Sequence, residues 1–93
     1  MTEEMRRLIE KAAAALKAAG AREVYLFGSQ AKGNLDDQSD IDLAVSGLSP
    51  DKFFRAMGEA GDILQRPLDL IDLDETNPFT QYLKEENELQ RIG

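Results

Sequence analysis

Three short runs of strand-forming residues, 23–27, 40–45 and 68–71, limit what this chain can fold into. Glu23-Val24-Tyr25-Leu26-Phe27 is an apolar run closed by Gly28, and Leu68-Asp69-Leu70-Ile71 follows Pro67. Between them, Ile41, Leu43 and Val45 alternate with Asp40, Asp42 and Ala44, and Gly47 then ends the pattern. Side chains of a strand alternate between its two faces, so this alternation gives one face to bury and one that stays polar. Around the three runs the apolar spacing changes to that of helices. Met5, Leu8, Ile9, Ala12, Leu16 and Ala19 share a face of an N-terminal helix that Thr2 can cap and Gly20 stops, with Glu3 and Glu4 at the positive end of its dipole. Ser49-Pro50-Asp51 opens a second helix with Ser49 as the capping hydroxyl and Phe53, Phe54, Met57, Ala60 and Leu64 on one face. Gly58 and Gly61 each weaken that helix by about 1 kcal/mol relative to alanine. Asn77-Pro78 opens a last helix with Phe79, Tyr82, Leu83 and Leu89 inward. Residues 28–40 are polar and turn-rich, with space for a helical turn at Ser29–Lys32. The expected order is α-β-α-β-α-β-α: an α/β (α+β) chain forming a small three-stranded mixed sheet flanked by helices, as a single domain over 1–93.

Composition removes most catalytic options. The 93 residues contain no cysteine and no histidine, which excludes disulfides, thiolate or imidazole metal sites, cysteine nucleophiles and every Ser-His triad. Catalysis here has to run on carboxylates, hydroxyls, Lys, Arg and metal ions. The net charge of −7, with no basic stripe, argues against nucleic acid as a ligand. It favours a metal-bound nucleotide or a basic protein partner. The N-terminal segment is a charged amphipathic helix rather than a signal peptide, and no apolar run reaches membrane-spanning length, so a cytoplasmic protein is expected.

Aspartate is depleted in strands, and three of them stand in two of these runs. Asp40 and Asp42 are two apart and point to the same side of their strand, while Asp69 is the polar member of the third run. If those two strands are neighbours, the three carboxylates converge on one face. Like charges so placed cannot all stay ionised without cations. Mg²⁺, a hard ion held by a few carboxylates and substrate phosphates, resolves the conflict. Two such ions about 3.5–4 Å apart would activate an attacking oxygen and stabilise leaving pyrophosphate. A half-exposed strand with solvated acids gives the same letters, so the pair at 40 and 42 does not decide the matter alone.

A second feature, Gly28-Ser29-Gln30-Ala31-Lys32-Gly33, follows the first strand directly. Glycine admits a phosphate close to the backbone, and amides at the start of a helical turn, with the Ser29 hydroxyl, would make an anion site. A plain glycine-rich turn is the other reading. Gly28 and Gly33 have P-loop spacing, but Asn34-Leu35 stand where that motif needs Lys and Ser or Thr. An EF-hand loop starting at Asp36 would need glycine where Ile41 stands.

The combination is more specific than its parts. GSQAKGNLDDQSDIDLAV resembles the signature of the DNA polymerase β-like nucleotidyltransferase superfamily, GSxARG followed by [ST]DxDL, and the likeness runs from Val24 to Asp72. The chain looks most like the minimal nucleotidyltransferases, including MntA-type antitoxins of HEPN/MNT toxin–antitoxin pairs. That resemblance implies that Gly28 and Ser29 hold the β- and γ-phosphates of the incoming nucleotide. It implies that Asp40 and Asp42 bind both metals, and that Asp69 completes the site and can take the acceptor's proton. Asp72, out of phase with Asp69, is a weaker candidate. Lys32 replaces the family's usual arginine and gives up its two-pronged grip on phosphate, although it remains a nucleotide-binding candidate. The resemblance further implies ATP as substrate with two Mg²⁺ ions, and transfer of AMP to an acceptor hydroxyl. Larger relatives carry an acceptor-binding domain for which this length leaves no room. A partner is therefore expected to complete the acceptor site: a HEPN-domain toxin AMPylated on tyrosine, or another small helical protein, with self-association also allowed. The alternatives are a non-catalytic binding module that neutralises a partner by contact, and an aminoglycoside-type nucleotidyltransferase with a helical companion subunit.

Overall fold

The computed structural model describes residues 3–27, 41–86 and 89–93. The elements run α1 (Glu3–Ala18), β1 (Glu23–Leu26), β2 (Ile41–Ser46), α2 (Pro50–Leu64), β3 (Leu68–Asp72), α3 (Pro78–Glu85) and β4 (Gln90–Arg91). The strands form one mixed sheet in the order β3-β2-β1-β4. β1 lies antiparallel to both β2 and β4, and β2 lies parallel to β3. A parallel pair needs a long crossover, and α2 provides it between β2 and β3.

The expected three-stranded sheet thus has a fourth strand. Gln90 and Arg91 are exposed and carry no apolar alternation, so only backbone pairing, Tyr25 with Arg91 and Leu26 with Gln90, reveals them. The cap at Thr2 and the turn at Ser29–Lys32 lie outside the described residues.

The sheet is covered on both faces. On one, Met5, Ile9, Ala12 and Leu16 of α1 and Ala56, Ala60 and Leu64 of α2 pack on Val24, Leu26, Ile41, Leu43, Val45 and Leu70. On the other, Leu83 of α3 packs with Phe27, Ala44 and Leu73, flanked by Tyr25, Ile71 and Leu89. The alternation read from the sequence assigns the first face correctly for α1 and β2. Gly20 ends α1 at φ +124° and Gly47 ends β2 at φ +79°, left-handed conformations that glycine adopts without steric cost.

Four expectations need correction. Phe54 is 74% exposed, because it stands about 100° around the helix from Phe53, and Ala56 takes the buried position instead. Phe79 and Tyr82 are also largely exposed: the buried position in the first turn of α3 belongs to Thr80. Leu89 is half-buried against the second core but follows the end of α3 rather than lying in it. Ser49 occupies the N-cap position of α2 but makes no side-chain cap bond. Its hydroxyl goes to the Asp51 carboxyl, and this bond is the main reason that group lies below the usual carboxylate range.

At α3 the cap is complete. Asn77 accepts from the Thr80 amide at 2.9 Å, and the Thr80 hydroxyl accepts from the Asn77 amide at 3.2 Å. The same hydroxyl donates to the Glu75 carbonyl at 2.8 Å, which satisfies a polar group that is only 2% exposed. Asn77→Ala is expected to cost about 1 kcal/mol, readable as a lowered midpoint in urea with an unchanged slope. A midpoint identical to that of the parent would show that the cap contributes nothing.

Candidate active site

The register of β2 and β3 decides which acids meet. Asp42 pairs with Asp69, with Ile41 opposite Leu68 and Leu43 opposite Leu70. Because alternation sends Ile41, Leu43 and Leu70 into the core beneath α1 and α2, Asp42 and Asp69 stand together on the opposite face. Neighbouring strands are about 4.8 Å apart, so the two carboxylates share one patch of surface. Asp42 is half-buried and Asp69 exposed.

Along this face the rows change in character. Glu23, Ser46 and Leu73 lie at one end; Tyr25, Ala44 and Ile71 form the middle, under α3. Asp42 and Asp69 occupy the other end, beside Phe27, whose amide donates to the Asp42 carbonyl at 3.1 Å. Gly28 and Ser29 follow Phe27 directly in sequence, and Asp40 precedes Ile41. The described chain therefore leaves the sheet and returns to it next to the acid pair. Gly28, Ser29, Lys32 and Asp40 themselves lie outside the described residues.

Among the described residues no three candidate metal ligands gather, and the pair of Asp42 and Asp69 is what the sheet itself assembles. Its chemistry suits a hard divalent ion. Carboxylate oxygens are the ligands Mg²⁺ prefers, and with no histidine or cysteine in the sequence the softer metals have no ligand set here. Asp72 is not part of the patch. It pairs with Val45, which places it in the opposite phase, and its carboxylate accepts from the Asp74 amide at 2.9 Å. It shapes the turn after β3.

At the far end of the same face is a polar cluster that periodicity did not single out. The Ser46 hydroxyl donates to Glu23 at 3.0 Å, and Arg91 of β4 lies 3.2 Å from the same carboxylate. The Ser46 bond, followed by one from Tyr25, holds the Glu23 pKa below the usual range. Burial and the neighbouring Glu23 push the Tyr25 hydroxyl up. A depressed folded-state pKa means that the stabilisation from Glu23 is present above the unfolded-state value and is lost as pH falls through the folded one. Ser46→Ala is expected to raise the Glu23 midpoint in an NMR titration; an unmoved midpoint would assign the depression elsewhere. This cluster ties β1 to β2 and β4, and needs no ligand.

The family profile described as "Polymerase beta, Nucleotidyltransferase" matches residues 10–89. No curated protein matches the sequence. Among solved structures, a protein described as a minimal nucleotidyltransferase is similar with a TM-score of 0.78 at 23% identity, over 95% of this chain and 92% of that one. A toxin–antitoxin structure with AMP-PNP gives 0.72 at 22% identity, over 95% of this chain and 72% of the matched chain. A tri-AMPylated Shewanella oneidensis HEPN toxin in complex with an MNT antitoxin gives 0.67 at 21% identity, over 95% and 71%. At such identities these likenesses speak for the fold. Among the described residues no helix is long and apolar enough to cross a membrane.

Proposed function

The chain belongs to the polymerase β nucleotidyltransferase family, and we propose that it transfers AMP from ATP to a tyrosine hydroxyl of a HEPN-domain partner, thereby acting as an antitoxin. The observation that carries this reading is the register of Asp42 with Asp69, at the point where the Gly28-Ser29 segment departs from β1. The choice of acceptor is supported by similarity to complexes of MNT antitoxins with HEPN toxins, one of them AMPylated. The choice of nucleotide is supported by similarity to the complex with AMP-PNP.

Asp40, Asp42 and Asp69 would hold Mg²⁺, which when bound neutralises phosphate charge and lowers the pKa of the attacking oxygen. Gly28 and Ser29 would bind the β- and γ-phosphates through backbone amides and the serine hydroxyl, with Lys32 as a further cation. In the reaction, the acceptor oxygen forms a bond to the α-phosphorus while the bond to the β-phosphate bridging oxygen breaks. Pyrophosphate leaves, and Asp69 takes the hydroxyl proton. The family resemblance assigns these roles. The chain's own contribution is positioning: a sheet packed on both faces holds Asp42 and Asp69 at fixed register, so little reorganisation is needed when charge develops.

The test is incubation of this chain with a candidate HEPN-domain protein, with and without ATP and Mg²⁺, followed by intact-mass measurement of that protein. One or more AMP additions that require ATP and Mg²⁺ are expected. An unmodified partner that is nonetheless neutralised would replace transfer with simple binding.

A further inference from the structure

β3 is an edge strand, and among the described residues no strand pairs with its outer side. The Leu73 amide donates to the Val45 carbonyl, and the Pro67 carbonyl accepts from the Ile41 amide. Odd-numbered residues therefore turn their backbone groups toward β2, and the two-residue period turns those of Leu68 and Leu70 outward. The Asp72 amide also points outward, while its carbonyl accepts from the Glu75 amide at 3.2 Å.

A groove of about 340 Å³ opens at this edge. Its walls come from different layers, Phe53 and Phe54 from α2 and Phe79 from α3, and Leu70 and Asp72 of β3 lie between them. Phe54 packs edge-on against Phe53 and Phe79 against Phe27, yet Phe54 remains 74% exposed and Phe79 46%, which leaves apolar surface open at the groove. The charged residues of the groove are Asp72 and Glu75, both acidic, whereas Lys52 and Arg55 of α2 face a separate hollow against α1.

Open backbone groups between aromatic walls with an acidic rim fit one kind of occupant. We propose that this groove binds an extended segment of a partner protein, which adds to β3 as a further strand. The segment has a short apolar centre between Phe54 and Phe79 and carries Lys or Arg at its flanks, opposite Asp72 and Glu75. A second copy of this chain fits worse. Pairing β3 with itself brings Asp69 and Asp72 of both copies onto one interface, and like charges across strands are destabilising. The proposal rests on backbone pairing at the outer edge of β3 and does not depend on the transfer reaction.

The probe is the dye-labelled peptide KVIVK, measured by fluorescence anisotropy on the whole chain, against EVIVE and against KVIVK N-methylated at alternate amides. Saturable binding of KVIVK is expected, about tenfold weaker for EVIVE and at least about tenfold weaker for the chain carrying Phe54→Ala and Phe79→Ala together. Both phenylalanines are exposed, so the variant should keep its circular dichroism spectrum; if it does not, the N-methylated peptide decides on the parent protein. Equal affinity for the N-methylated peptide would show charge attraction without strand addition and overturn the proposal. So would absence of saturable binding, or concentration-dependent dimerisation that F54A and F79A abolish.

Discussion

Asp42→Asn is expected to lower AMP transfer by about a thousandfold or more while leaving the fold intact. Asparagine keeps the shape of the side chain but removes its charge, and charge is what a metal–phosphate site requires. Charge stabilisation by bound metal contributes several kcal/mol to such transition states, and about 4 kcal/mol corresponds to three orders of magnitude in rate. Asp69→Asn should be of similar severity, because Asp69 stands opposite Asp42 in the register and would serve the same ions. If the two act as one unit, the double variant will be little slower than either single one. The measurement is the initial rate of AMP incorporation into the partner, with thermal denaturation as the control for folding. A variant that retains more than about a tenth of the parent rate would remove Asp42 from the proposed site, since the charge stabilisation expected there is several kcal/mol. Partner neutralisation measured in parallel separates the outputs: if D42N neutralises as well as the parent, contact suffices and modification is incidental.

Leu43→Ala carries the largest expected effect on stability. Leu43 is wholly buried in β2, between β1 and β3, and faces α1 and α2. Removing a buried leucine side chain costs about 2–5 kcal/mol, the upper part of that range applying where neighbours cannot collapse into the space. A position held by strands on both sides and helices above has little freedom to collapse. For a domain of this size each kcal/mol corresponds to about 4–8 °C, so a fall in Tm of at least about 10 °C is expected. A fall under about 3 °C would mean that this layer is packed less tightly than its burial indicates. The adjacent Asp42 would then also be less firmly placed, since the phase of β2 is set by its apolar face.

Much of this was legible in the sequence because alternation is a strong constraint. Ile41, Leu43 and Val45 could face only a core, which sent Asp42 to the other side; Leu68 and Leu70 did the same for Asp69. The order of strands was not legible. The meeting of Asp42 and Asp69 depends on β3 lying next to β2 rather than at the other edge, and pairing between distant segments leaves no periodic signature. β4 was invisible for a related reason: two exposed polar residues held by backbone bonds have no pattern to read. Apolar counting also placed Phe54, Phe79 and Tyr82 inside. It had no means of seeing that Thr80, with its hydroxyl fully bonded, would be the buried residue of α3. The proposed phosphate-binding residues Gly28, Ser29 and Lys32, and the third acid Asp40, rest on the motif and on their place in the chain beside Phe27 and Ile41.

The account turns on whether Asp42 and Asp69 jointly hold a divalent ion with nucleotide. Crystals of this chain grown with Mn²⁺ and a non-hydrolysable ATP analogue would show it directly, through the anomalous signal of the metal. The account predicts a peak within about 2.5 Å of an oxygen from each of the two carboxylates, with the analogue's phosphates on its far side. Metal and nucleotide bound elsewhere, or a peak touching neither aspartate, would contradict it.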